Sequence, residues 1–399
     1  MTDVFHSKIN LIKLTLLSYS IAFLTGAMIV LPFVLKGSAA KYFGADLEHV
    51  GYAFSFFMFG VVIFQFLNGY LIKLISIRAE VFVMAITYII VAIGLLFIHK
   101  LYMVIPLFLL LGFGAGISAT LPNYILVQSY HGENRTSKLN FLDFSFSLGS
   151  LIYPMISAFM IHKGFSWQSV YLSLIIIFIE IIILAGFTTL PQIHIPLKKS
   201  AVAFVSSWNK NIVLVGVAVV FYFMSYSGYR YWLSEYLVKD LHMSLYAANF
   251  GLSLFWIWYA VGCFLAGFLV KMFSTSKYII VSTIISTLTY IFIYNSVNVE
   301  MMYVGISILG LATSTVYASS ISYATHLSPN PNPRIVSYII VSGGMGSYFS
   351  EIYSSWVCGH LGLRAVTLTS AVLMFAAAMI YIYISSDKNN LYKISSNNV

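Results

Sequence analysis

Pro191–Lys210 reads PQIHIPLKKSAVAFVSSWNK. It is the longest polar passage in an otherwise apolar chain of 399 residues, and it lies close to the midpoint. One pattern occurs on either side of it. Phe66-Leu67-Asn68-Gly69-Tyr70-Leu71-Ile72-Lys73 leads to Ser76, and Phe264-Leu265-Ala266-Gly267-Phe268-Leu269-Val270-Lys271 leads to Ser274, an offset of 198 residues. The same offset carries Leu111-Gly112 onto Leu309-Gly310. An offset of 197 sets Gly149-Ser150 on Gly346-Ser347, and 202 sets Leu31 and Leu35 on Leu233 and Leu237. Four matches at nearly one offset indicate a duplicated unit with the polar stretch as its hinge. The expected organisation is an N-terminal half over 1–190, a linker over 191–210 and a C-terminal half over 211–399.

Composition places that duplication in a membrane. The chain is 60% hydrophobic and 8% charged, where ordinary soluble domains carry roughly 25% charged residues. A net charge of +9 would suggest nucleic acid if the basic residues shared one folded face. They fall instead between apolar runs, so no nucleic-acid partner is expected. Leu14–Leu35 is longer than a signal-peptide core and many similar runs follow it, so it reads as a first membrane helix. Cys263 and Cys358 read as inert thiols within or at the ends of membrane helices.

About 20 mostly apolar residues cross the hydrocarbon. Polar punctuation cuts twelve such runs, near Ile12–Leu35, Val50–Ile72, Val81–Ile98, Leu101–Gln128, Leu139–Ile161, Val170–Leu190, Ile212–Leu233, Ala247–Val270, Tyr278–Tyr294, Met301–Ala324, Ile335–Val357 and Ala365–Ser385. They are long and continuous, which predicts helices and not a barrel. The expected fold is an all-α membrane protein with two pseudo-symmetric six-helix bundles. With the N-terminus inside, 14 Lys and Arg residues fall on the inner side and 6 on the outer, and Arg230 within a helix completes the 21. That bias predicts cytoplasmic termini and a cytoplasmic linker, with Lys198-Lys199 facing the anionic inner leaflet. Asn134-Arg135-Thr136 matches a glycosylation sequon but falls in a loop expected on the cytoplasmic side.

Over essentially its whole length the chain resembles the major facilitator superfamily. Gly69-x-Leu71-x-Lys73 with Arg78 is similar to that family's loop motif between helices 2 and 3, and Gly267 with Lys271 repeats it. Where the family has Asp, this chain has Lys73 and Lys271. Within the superfamily it resembles the TsgA-like branch, related to the fucose permeases. The resemblance rests on Leu24-Thr25-Gly26-Ala27, Phe66-Leu67-Asn68, Asp143 with Phe146-Ser147, Pro154-Met155-Ile156, Trp232 with Glu235-Tyr236, Met243-Ser244-Leu245 and Phe255-Trp256 with Tyr259 and Gly262. It implies a secondary transporter and Gly69, Lys73, Arg78, Gly267 and Lys271 as gating positions. It also implies a cavity lined by helices 1, 2, 7, 8 and 10.

Ionisable groups at membrane depth are functional candidates. Glu180 stands in IIIFIEIII, either a neutral acid bonded to a neighbouring helix or a proton carrier. Asp143 lies in helix 5, as part of an inner gate or as a partner for Arg135 or Lys138. Arg230 and Glu351 fall at comparable depth in helices 7 and 11, where they would pair or divide a substrate between them. An Arg fork suits a carboxylate or another anion. Tyr19, Gln65, Asn68, Tyr226, Tyr229, Asn249, Trp256 and Tyr317 belong to the cavity helices, and Asn123 follows Pro122 in helix 4. Rings with one polar edge suit a small polar solute, although they pack cores equally well. The permease relatives are expected to use acids in helices 1 and 4 for proton coupling. Neither helix has one here, which leaves Asp143, Glu180 and Glu351 as proton-coupling candidates.

The preferred reading is a secondary transporter for a small polar solute, embedded in the lipid bilayer of the inner or plasma membrane, with proton coupling left open as one option. It is expected to act as a monomer with no cofactor and no metal. One alternative is a membrane acyltransferase built on His131-Gly-Glu133-Asn-Arg135, which lacks converging partners in sequence. Another is a transporter-like sensor or scaffold. No phosphate-binding G-x-x-x-x-G-K-[ST] loop is present to drive pumping by ATP.

Overall fold

The computed structural model describes residues 7–45, 47–191, 209–243, 245–328 and 333–387. Among these the backbone forms twelve long helical segments and no strand. They are α1 (Lys8–Phe43), α2 (Leu47–Leu74), α3 (Ile77–Leu96), α4 (Val104–Ser129), α5 (Gly132–His162) and α6 (Trp167–Gly186), then α7 (Lys210–Lys239), α8 (Leu245–Leu269), α9 (Thr275–Asn295), α10 (Val299–His326), α11 (Pro333–Leu361) and α12 (Leu363–Ser386). Ten candidate spans are long and apolar enough to cross a membrane, and Tyr52–Asn68 within α2 is a shorter apolar stretch. The expected linker over 191–210, with Lys198-Lys199, lies outside the described residues except at its two ends.

The helices overrun the apolar runs that announce them. α1 continues to Phe43 past the apolar run that ends at Leu35, and α5 begins at Gly132 where the apolar run begins at Leu139. Asn134 therefore sits in the first helical turn and not in a loop. An acidic first turn, here Glu133, suits a helix N-terminus. Hydropathy marks only the part of a helix that meets hydrocarbon.

α3 shows why apolar residues cover these helices on all sides. Val81, Met84, Ala85, Tyr88, Val91 and Leu95 are buried, while Ile86, Ile90 and Ile93 on the other face are about half exposed. A helix hydrophobic all round has helices on one side and lipid on the other. On the buried side the Tyr88 ring stacks on Phe178 at 5.2 Å, and its hydroxyl meets Ser118 Oγ at 3.0 Å.

The described residues separate into two compact units. One holds those up to Tyr130 and from Ser145 to Pro191; the other holds His131–Phe144 and those from Asn209 onward. Within each unit the duplication recurs at the level of atoms. α2 and α8 begin 198 residues apart, as do α3 and α9. In the first unit a Cβ on Gly112 would run into the Phe57 carbonyl oxygen; in the second, a Cβ on Gly310 would come 2.5 Å from that of Phe255. Both the glycines and the carbonyls are related by 198. Gly149 lies on the Phe23 carbonyl and Gly346 on that of Val220, and both are related by 197. Small residues at these crossings let helix backbones approach closely.

α10 is interrupted at Ser314 and Thr315, which its sequence does not announce. Groups there find local partners: Cys263 Sγ donates to the Ser314 carbonyl at 3.4 Å and Thr315 Oγ1 meets Ser282 Oγ at 3.0 Å. Among the described residues both cysteines are free thiols.

Overpacking a well-packed contact costs about 1–3 kcal/mol, and more where the obstacle is backbone. Gly112→Val and Gly310→Val are each expected to lower the detergent melting temperature. Gly37→Ala, with nothing within 4 Å of the new methyl, should leave it unchanged or raise it. Thermal unfolding of the three purified variants checks this.

Candidate functional site

The densest group of candidate residues lies in the second unit, on α7, α8 and α10. Positions 222, 226 and 230 share one face of α7, because residues four apart are neighbours on a helix. Tyr222 stacks on Tyr226 at 5.5 Å and 12°, and its hydroxyl donates to the Thr313 carbonyl at 2.9 Å. Arg230 lies over the Tyr226 ring at 4.9 Å and over the Trp256 ring at 4.7 Å, and its Nη1 donates to the Tyr226 hydroxyl at 3.3 Å. Two ring faces hold the guanidinium by cation–π attraction. Its plane carries five N–H donors, and among the described residues the Tyr226 hydroxyl is the acceptor it meets. Phe255 and Tyr259 extend the aromatic surface beside Tyr226, at 5.7 and 5.9 Å.

Tyr317 joins this group through Phe223, its ring edge-on at 5.1 Å. Asp143 on α5 lies within electrostatic reach of Tyr222, Tyr226, Tyr259 and Tyr317. Tyr229 points elsewhere: it is 2% exposed and packs edge-on against Tyr290 at 5.2 Å, a core position. The side chains of Glu351 and Asn249 lie outside the described residues. The structure thus brings together Tyr226, Arg230, Trp256, Tyr317 and Asp143. Sequence reasoning passed over Tyr222, Phe223 and the clustering of Phe255 and Tyr259; the four-residue spacing of Tyr222, Tyr226 and Arg230 was the available signal.

The start of α5 is held in the second unit by polar contacts. Glu133 accepts from the Thr275 amide at 3.2 Å and from Thr275 Oγ1 at 2.9 Å, capping α9, whose own Ser274 makes no side-chain cap. Thr136 Oγ1 meets Thr275 Oγ1 at 2.8 Å and Ser322 Oγ at 2.7 Å, and Arg135 Nη1 donates to Thr325 Oγ1 at 3.0 Å. Ser137 Oγ donates to the Gly267 carbonyl. A Cβ on Gly267 would come 2.5 Å from the Phe141 ring, so a larger residue there would have to displace that ring. Lys271 is exposed. In the first unit Arg78 Nη2 donates to the Thr188 carbonyl at 2.9 Å, while Gly69 lies on α2 and the side chain of Lys73 is outside the described residues.

The remaining candidates occupy the first unit. Tyr19 and Glu180 line one groove of about 290 Å³ on α1, α5 and α6, where Ser20 Oγ donates to Glu180 Oε1 at 2.9 Å. Gln65 is half-buried on α2. Asn123 donates to the Ala119 carbonyl of its own helix at 2.9 Å. Asn68 is 1% exposed and its amide donates to Thr120 Oγ1. Beside it lies Glu80, 0% exposed, which sequence reasoning did not single out. Its place one turn into α3, two residues after Arg78, resembles an ordinary solvated charge.

The sequence model of the Major Facilitator Superfamily matches residues 15–215 and 215–395. The chain belongs to the major facilitator superfamily. As a member it is a multi-pass membrane protein and a secondary transporter, not an enzyme. It is TsgA-like: it is 28% identical over 365 residues to protein TsgA of Shigella dysenteriae serotype 1 and of Escherichia coli O157:H7, covering 90% of this chain and 92% of each relative. Its fold is that of the E. coli fucose:proton symporter FucP, with TM-score 0.77 and 16% identity over 93% of this chain and 98% of that one. The proton:xylose symporter XylE matches with TM-score 0.75 and 13% identity over 92% and 94%. The two consecutive matches of one family model also agree with the internal duplication.

Loss of a side-chain cap costs about 1 kcal/mol. Glu133→Ala is expected to reduce stability by about that amount and to speed amide exchange at the start of α9. Hydrogen exchange read by mass spectrometry, with the melting temperature alongside, measures both.

Proposed function

We propose that this superfamily member carries a small polar solute by alternating access across the inner or plasma membrane. It works as a monomer with both termini in the cytoplasm and with protons as the coupling ion. The two halves, 1–190 and 211–399, act as its moving bodies around the 191–210 linker. Arg230 holds the solute by an anionic or oxygen-rich group, against the rings of Tyr226 and Trp256. The observation that carries this reading is the guanidinium itself. It is fixed by two ring faces while most of its N–H donors face no acceptor among the described residues. A donor fork kept rigid and uncommitted suits a carboxylate or adjacent hydroxyls. Asp143 lies within electrostatic reach of the same tyrosines, which makes it a carboxyl able to respond to a bound solute. The fucose and xylose symporters of the same fold support a hydroxylated solute.

A ligand that binds the folded state raises its stability. Purified protein is to be melted with a panel of hexoses, pentoses and their sugar acids, each also tested for flux into proteoliposomes. One class is expected to raise the melting temperature and to be transported. Hydrogen bonds to a charged group contribute about 1.5–3 kcal/mol, so Arg230→Gln should weaken binding roughly 10- to 100-fold. An unchanged affinity in Arg230→Gln would remove the guanidinium from the site. Stabilisation without flux would favour the sensor reading.

A further inference from the structure

Glu80 opens a question that the transporter reading does not use. It lies in the first turn of α3 and is 0% exposed, and among the described residues neither carboxyl oxygen meets a donor at full hydrogen-bonding geometry, with the Asn68 side chain close beside it. Burying an ionised carboxylate without a partner is prohibitively costly, so such a group takes up a proton instead. The surroundings are consistent with that. Thr120 Oγ1 donates to the Ile117 carbonyl of its own helix at 3.1 Å, and it therefore accepts from the Asn68 amide. In this arrangement the Asn68 nitrogen is turned toward Thr120, and the Asn68 oxygen Oδ1 is left buried with no donor. One corner thus holds an acceptor lacking a donor beside a carboxyl that meets none at full hydrogen-bonding geometry. A single proton on Glu80 supplies the missing donor.

Among the described residues, the charged and titratable groups on the elements around Glu80 have other partners or are neutral tyrosines. Tyr124 on α4 is the titratable group coupled to Glu80, and α2 presents Asn68. α6, also packed on α3, carries Tyr171, which sits against Phe108 and Trp167, and Glu180, which is bonded to Ser20. Arg78, on the same helix as Glu80, donates to the Thr188 carbonyl.

We propose that Glu80 is a proton-binding site, carrying a proton in the conformation described here and releasing it to water when this corner becomes wet. Binding joins H⁺ to one carboxylate oxygen, release returns it to water, and no other bond changes. The inference rests on the transporter reading only for its consequence, that this proton moves with the transport cycle. Its test needs no solute, so it is decided whether or not the Arg230 ligand is found.

The probe is the carbonyl stretch of a protonated carboxylic acid, followed by infrared difference spectroscopy on the purified full chain through a pH titration. Wild-type protein is expected to show such a band at neutral pH that disappears reversibly as pH rises, with proton release. With the second buried carboxyl removed by Asp143→Asn in both samples, Glu80→Gln should lose that band and about one released proton relative to the protein that keeps Glu80. Asn68→Leu supplies an independent check: it removes the acceptor, so the band should shift to the position of an unbonded acid. Three results overturn the proposal. They are a band that persists in Glu80→Gln on the Asp143→Asn background, one that never titrates while the protein stays folded, or one that does not move in Asn68→Leu.

Discussion

A membrane offers helices almost no hydrophobic reason to touch one another, because lipid is as apolar as their side chains. What holds each unit together is therefore close fit, and the fit depends on glycine set against carbonyl. Gly112 on Phe57 and Gly310 on Phe255 repeat one α2–α4 type crossing in both units. Gly149 on Phe23 and Gly346 on Val220 repeat another. At these points backbones meet with no side chain between them, and everything else is arranged around them. α7, which makes such a crossing at Val220, also carries Tyr222, Tyr226 and Arg230.

Polar groups follow a second rule, that nothing in hydrocarbon is left to water. Most hydroxyls answer it locally by donating to their own helix, as Ser18, Thr25, Ser157 and Thr313 do to the carbonyl four residues earlier. The exceptions are informative because they fail to close. Arg230 keeps donors over a ring surface, and Glu80 keeps acceptors in a closed corner.

The fold was legible because its signals are global. Twelve apolar runs and a fixed repeat offset survive any uncertainty about single contacts. The site was legible only in part. Arg230 is a lone charge in an apolar run, so cost alone marked it, and Tyr226 and Trp256 came with it. Tyr229 carries the same side chain three positions after Tyr226, but the helix turns it into the core against Tyr290. Glu80 went unseen for the opposite reason. In SIRAEVF it stands beside Arg78 at the edge of an apolar run, and nothing in that string says that α2 and α4 close over it. Its burial belongs to residues 68, 120 and 124.

The family's loop acid illustrates how a lost charge can be replaced in space and not in sequence. Lys73 and Lys271 stand where relatives have Asp, so the loop cannot supply the anion. At α9 the structure supplies it from α5 instead. Glu133 reaches the Thr275 amide and hydroxyl, the place where a helix N-terminus most favours negative charge. The hydroxyls of Thr136, Thr275 and Ser322 then continue the contact without further charge. The contact thus joins charged groups of α5, Glu133 and Arg135, to a row of neutral hydroxyls, and it lies within the second unit.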